Sequence, residues 1–278
     1  MQIRDYSLPE PWYSRDPDEV KNLISKYISG ACKIKPARAA VSPHAGWHYS
    51  GRISAIGVSS LDRDCGTIAV LGGHLPASSP VLFAMEDAVR TPLGPMPIDK
   101  ELREILLKEL DGREDRFRDN TVEVLLPMVR FFFPDSSVLW LRLPAGLHSF
   151  NAGKVISDAA ARLNRKINVL ASTDLTHYGL NYGFLPQGTG KKALKWLREV
   201  NDANFIKAVE AQDSAEVLRR AENDFSSCSA GAVLCAMGFA EAEKLPNARL
   251  LEYGTSADAA ENENPDSFVG YAAMAFVN

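Results

Sequence analysis

Six short, almost wholly apolar runs, at residues 39–42, 67–71, 138–143, 167–171, 250–253 and 269–277, constrain this chain more than any other feature. They do not alternate apolar with polar, and uninterrupted apolarity over so few residues is what a strand needs when both faces of its sheet are covered. Between them lie segments with helical spacing and good helix formers, at residues 18–28, 100–109, 154–163, 191–220 (with a break near Gln212) and 230–243. Strands separated by helices require crossover connections and therefore run parallel. The expected fold is α/β, a three-layer sandwich with a mainly parallel central sheet and helices on both faces, built from residues 1–278 as one domain. Only the loop 254–267 separates the last two strands, which predicts an antiparallel pair at an edge.

With 278 residues, 46% of them apolar, the chain can bury a sizeable core. The Pro- and Gly-rich stretches at 91–99 and 182–190 lack a charged or Ser-rich linker beside them and read as surface loops. Lys and Arg total 31 against 35 Asp and Glu, and the net charge of -4 is spread along the chain. No nucleic-acid groove or anionic membrane partner is expected from that distribution. No run approaches the roughly 18 apolar residues needed to span a bilayer, and residues 1–16 lack a signal-type apolar stretch, so a cytoplasmic location is expected. The four cysteines, Cys32, Cys65, Cys228 and Cys235, form no CxxC pair, which favours reduced thiols. Cys235 reads as a small apolar residue on a helix.

Ligands of open α/β sheets bind beyond the carboxyl ends of the strands, so the residues following each strand matter most. Run 39–42 leads into Pro43-His44-Ala45-Gly46-Trp47-His48, run 67–71 into Gly72-Gly73-His74, and run 167–171 into Ser172-Thr173-Asp174-Leu175-Thr176-His177. Three of the five histidines thus stand at strand ends, flanked by Gly or Pro that permits close backbone approach. If those ends share one side of the sheet, His44, His74 and His177 face one crevice. Neutral imidazole is the commonest side-chain ligand for iron, copper and zinc. Asp174 and His177 fit either as ligands or as an acid/base pair, and Asp174 fits equally as a turn cap. Cys228 lies just ahead of an Ala-rich helical run, where the helix N-terminus favours the thiolate that binds metals or attacks electrophiles. His48 fits the same loop as His44, and His148 fits either a helix cap or the mouth of the site.

At these residues the chain resembles the Memo-like family, whose fold is similar to that of class III extradiol (non-haem iron) dioxygenases. Trp12-Tyr13 matches its WY pair, residues 43–51 its PHAGYxYSG segment, residues 91–99 its TPLGxxxxD loop, residues 172–179 its SSDxxHYG segment and residues 267–273 its SxVGYAA strand. The resemblance implies a metal site at His44, His74 and Cys228, with Asp174 and His177 beside it as proton-handling groups and His48, Glu123 and Tyr178 lining it. The metal implied is iron or copper, with zinc as the third choice. The activity implied is dioxygenase-like redox chemistry, and relatives that bind phosphotyrosine peptides imply the alternative, a non-catalytic module for a small-molecule or peptide ligand. Two departures stand out. The family's LGPxH is shortened to Leu71-Gly72-Gly73-His74, and its EHSxExHxP helix carries Asn120 and Leu125 in place of both histidines while keeping Glu123 and Pro127. Those losses weigh more against turnover than against metal binding. Hydrolysis with Cys228 or Ser172 as nucleophile and His177 as base is a third reading, without a GxSxG motif to support it.

Overall fold

The computed structural model describes residues 1–31, 35–260 and 265–278. Cys32 therefore lies outside the described residues. In chain order the strands are β1 (Ile3–Arg4), β2 (Ala39–Ser42), β3 (Thr67–Leu75), β4 (Leu82–Phe83), β5 (Ala88–Val89), β6 (Met96–Pro97), β7 (Arg113–Glu114), β8 (Ser137–Pro144), β9 (Ile167–Ser172), β10 (His177–Gly179), β11 (Asn247–Thr255) and β12 (Ser267–Val277). The helices are α1 (Pro17–Tyr27), α2 (Trp47–Ser59), α3 (Lys100–Glu109), α4 (Asn120–Glu123), α5 (Leu126–Phe132), α6 (Leu147–Arg162), α7 (Lys191–Trp196), α8 (Asp202–Glu210), α9 (Ser214–Asn223), α10 (Ala230–Ala242) and α11 (Ser256–Ala259). None of the described helices is long and apolar enough to cross a membrane.

The main sheet runs β10-β12-β2-β9-β3-β8-β4-β7, with β11 paired to β12. Its centre, β2-β9-β3-β8, is parallel, while β12 joins β2 antiparallel and β11 joins β12 antiparallel. A small second sheet, β1-β5-β6, ties the N-terminus to the segment after β4.

The continuous apolarity of the central strands is resolved by the pleat, because successive side chains leave a strand on opposite faces. Ala39, Val41, Ala69, Leu71, Leu139, Leu141, Val169 and Ala171 join one core with α3, α6, α8, α9 and α10. Ala40, Ile68, Val70, Val138, Trp140 and Leu170 join another with α1, α2, α4 and α5. A three-layer sandwich results. Helix α10 is buried almost all round and lies directly on α6. A Cβ on Gly238 would stand 1.8 Å from the Phe150 carbonyl oxygen, so the two backbones touch only because glycine is there.

Several boundaries differ from expectation. Helix α2 was not legible: it starts inside the Gly-rich segment after β2, and its own Gly51 and Gly57 dilute the helical pattern. Helix α6 begins at Leu147 rather than near residue 154. The segment 191–220 is three helices: a π turn over Leu197–Asn201 joins α7 to α8, and Gln212 at φ 53 separates α8 from α9, where Asp213 caps Ser214 onward. The stretch 91–99, expected as loop, contributes β6.

Candidate functional site

The carboxyl ends of β2, β3 and β9 lie side by side, since β2 and β3 each pair in parallel with β9. His44 follows β2 by two residues and is buried. Its backbone N–H donates to Asp174 Oδ1 at 2.7 Å, its Nδ1 meets Ser172 Oγ at 2.9 Å, and its carbonyl accepts from Asn120 Nδ2 at 3.0 Å. The other nitrogen, Nε2, is 3.2 Å from Cys228 Sγ.

His74 lies within its strand rather than after it, contrary to expectation. β3 continues to Leu75 because it regains pairing with Pro144 after an irregularity between Gly72 and Leu75. His74 has φ 57 at that irregularity, and its ring stands edge-on to His44 with centroids 4.9 Å apart. Gly73 permits the approach of Ser229, whose Cβ would be 2.4 Å from a Cβ at residue 73.

Cys228 lies two residues before α10, and its backbone N–H donates to the Asp174 carbonyl at 3.3 Å. One ligand atom from each of His44, His74 and Cys228 can be chosen so that all three lie within 4.8 Å of one another. Among the described residues, Asp174 adds a carboxylate whose Oδ2 is 3.9 Å from His44 Nε2 and 3.8 Å from His177 Nε2. His177 sits on β10, where its ring packs against Tyr182 with centroids 4.9 Å apart, and its Nε2 is buried without a hydrogen-bond partner.

The electrostatics favour an ionised thiol. Burial pushes the Cys228 thiol up, but the neighbouring imidazoles of His44, His177 and His74 outweigh it and hold the thiol well below its ordinary range. Burial disfavours charge on His74, yet Asp119 and Cys228 raise it to about 10. His177 is raised to about 10 in the same way, with Asp174 and Cys228 outweighing burial. Without a metal, the cluster is therefore a thiolate facing imidazolium rings. A transition metal fits this donor set because it replaces those protons as the positive partner of the sulfur.

A cavity of about 670 Å³ opens over the cluster, with His44, His74, Asn120, Asp174 and His177 among its polar lining and Trp12, Tyr49, Tyr182, Phe268 and Tyr271 as aromatic walls. Three residues expected at the site are elsewhere. His48 is exposed, packs against Tyr49, and lines a neighbouring groove with Trp12, Tyr27 and Trp47. Glu123 is buried beneath the N-terminal segment, accepting from Ser7 N at 2.8 Å, Leu8 N at 3.1 Å and Tyr13 Oη at 3.0 Å. Tyr178 is fully buried, stacks on Phe268 at 4.7 Å and donates to the Gly188 carbonyl at 2.8 Å. His148 is exposed on α6 and outside the cavity lining. Sequence reasoning missed Asp119, whose Oδ2 is 3.1 Å from His74 Nδ1, because a single Asp before a one-turn helix carries no signal. The aromatic walls were equally unreadable, coming from four separate segments.

Known proteins place the chain in context. A MEMO1 family protein of Methanopyrus kandleri is 27% identical, with 95% of each chain covered. Another from Methanococcus maripaludis strain C6 is 28% identical over 99% of this chain and 92% of the relative. A solved structure of an uncharacterized Escherichia coli K12 protein covers 85% of this chain and 98% of its own at 14% identity, with a TM-score of 0.47, too loose a likeness to bear on this site. The family model for Memo-like protein matches residues 4–275, and the chain belongs to that family.

Proposed function

We propose that this protein is a metal-binding member of its family in which His44, His74 and Cys228 hold one transition ion, and that it works as a non-haem metal-dependent redox enzyme of the extradiol dioxygenase type. The observation that carries the reading is the approach of two imidazole nitrogens and one sulfur to within 4.8 Å, close to the span of two metal–ligand bonds of about 2.0–2.3 Å each. A bound ion would supply Lewis acidity and electron transfer. Two imidazoles with a thiolate suit copper or zinc, and two imidazoles with the adjacent Asp174 carboxylate suit iron, so iron and copper lead and zinc follows.

The chain's own residues do the rest. Ser172 and the Asp174 carboxylate hold His44 by its ring and its backbone. His177 Nε2, buried beside Asp174 Oδ2, is placed to deliver the proton it holds to a ligand in the cavity, with the Asp174 carboxylate stabilising its charged form. The aromatic walls exclude water and orient an apolar body, leaving its polar end over the histidines. The same walls, in a cavity of about 670 Å³ with no Lys or Arg in its described lining, support a second reading, a non-catalytic module for a small-molecule or peptide ligand.

Metal analysis of protein purified without added metal tests the first reading, followed by oxygen uptake with catechols as probes after ferrous loading. Stoichiometric metal lost in His44→Ala, with uptake lost in His177→Asn, is expected. No metal and no uptake would overturn it. Metal binding without turnover of any probe would favour the binding module.

A further inference from the structure

His74 is the least self-supporting member of the cluster. Its side chain keeps 32% exposure against 1% for His44. Its φ of 57 is a left-handed conformation that costs a non-glycine residue on the order of 1 kcal/mol. Something beyond its own strand must hold the ring.

That support is Asp119, the residue capping α4. Its Oδ1 accepts from Thr121 N at 2.9 Å and from the Thr121 hydroxyl, which itself accepts from Gly73 N at 3.2 Å. Its Oδ2 meets His74 Nδ1 at 3.1 Å and Arg142 Nη2 at 3.2 Å. Arg142, on β8, also donates from Nε to the Gly73 carbonyl at 3.0 Å and from Nη1 to Asp115 Oδ1 at 3.3 Å. Asp115 is in turn held by Trp140 Nε1 at 2.9 Å. Arg142 and Asp115 are both buried, and a buried guanidinium is tolerated only when its charge is matched and its donors are used. The network therefore holds the N–H and the carbonyl of Gly73, just before His74, together with the His74 ring, and it keeps Asp119 ionised.

An ionised carboxylate only accepts hydrogen bonds, so the His74 nitrogen facing it must carry the proton. Ser172, the partner of His44 Nδ1, is a hydroxyl that donates or accepts and imposes no such polarity. We propose that Asp119, clamped by Arg142, is a positioning residue that commits His74 to binding metal through Nε2 and supports the strained backbone from which it does so. This rests on the metal reading above. It adds a residue that never touches the ion yet sets how tightly the ion is held, as hydrogen-bonded partners of ligating histidines generally do.

Zinc titration against a chromophoric competitor, comparing the wild type with Asp119→Asn, tests it. Asn has a single oxygen: kept on Thr121 N it still caps α4, and an uncharged NH2 then replaces the acceptor that faced His74 and Arg142. Affinity should fall about 10- to 100-fold in the variant while its melting temperature stays within a few degrees. Side-chain nitrogen NMR of the zinc-loaded wild type should show His74 protonated at Nδ1 and metal-bound at Nε2, which a merely structural Asp119 would not require. Affinity within twofold of wild type, or zinc on Nδ1, would overturn the proposal. Should the variant fail to fold, the wild-type NMR result decides alone. A wild type that binds no zinc overturns the metal reading itself, and this proposal with it.

Discussion

Replacing Asp202 by Asn should change how the stability of this protein depends on pH. Asp202 opens α8 just after the π turn and is fully buried. Its Oδ1 accepts from the backbone and hydroxyl of Thr176, next to His177, and its Oδ2 accepts from Tyr253 Oη at 2.7 Å. Burial raises its carboxyl from the ordinary 3.8 to about 6, with the Thr176 and Tyr253 hydrogen bonds opposing but not cancelling the effect. The native state therefore binds this proton more tightly than the unfolded chain does. Stability owed to the protonated form is complete below pH 3.8 and is lost as pH rises through about 6. The full gap is worth about 3 kcal/mol at about 1.4 kcal/mol per pH unit, and about 2 kcal/mol of it falls between roughly pH 4.5 and 7.5. The amide of the variant cannot ionise and escapes that loss. Urea unfolding of both proteins at the two pH values isolates the effect, because other titrating groups cancel in the double difference. Asp202→Asn should gain about 2 kcal/mol on wild type between them. A difference that does not change with pH would refute the reasoning.

Three further outcomes follow from the geometry. In metal-free protein at pH 7, iodoacetamide should modify Cys228 well before Cys65, whose thiol burial pushes up to about 11, and zinc should protect Cys228, as peptide mass mapping would show. Gly238→Ala should destabilise the fold by about 1–3 kcal/mol or more, a drop of several degrees in melting temperature, since its methyl group meets the Phe150 carbonyl and must separate α10 from α6. Cys228→Ser should leave folding intact while weakening metal binding, measured by the same chelator competition, because the hydroxyl is a poor substitute for a soft thiolate.

The central strands were legible because burial on both faces demands uninterrupted apolar residues, a pattern that survives in one dimension. Residues 39–42, 67–71 and 167–171 all fall within strands of the parallel core. Helix α2 was hidden, since it is held by packing of Ala55 and Val58 against the sheet rather than by helix-forming residues, and its three turns look like a glycine-rich loop. The break at Gln212 was readable, whereas the π turn before Asp202 was not, because nothing local distinguishes it from ordinary helix.

The site divides along the same line. Gly- and Pro-flanked histidines after apolar runs, and a cysteine ahead of an Ala-rich helix, could be read residue by residue, because parallel strands must deliver their carboxyl ends to one edge. Which of those residues meet depended on register. One residue of slip in a strand reverses its faces, and only the paired sheet sets β2, β9 and β3 so that His44 lies against Ser172 and His74. Tyr178 shows the converse: two residues from Thr176 and one from His177, it points into the core because strand β10 alternates. The sequence by itself determined an α/β chain with ligand-type side chains at strand ends. Tertiary structure alone decided that Glu123 anchors the N-terminal segment, that Asp119 and Arg142 reach across from other elements to hold His74, and that aromatic residues of four distant segments wall one cavity. Those contacts join residues far apart in the chain, and no local pattern encodes a partner that only folding brings near.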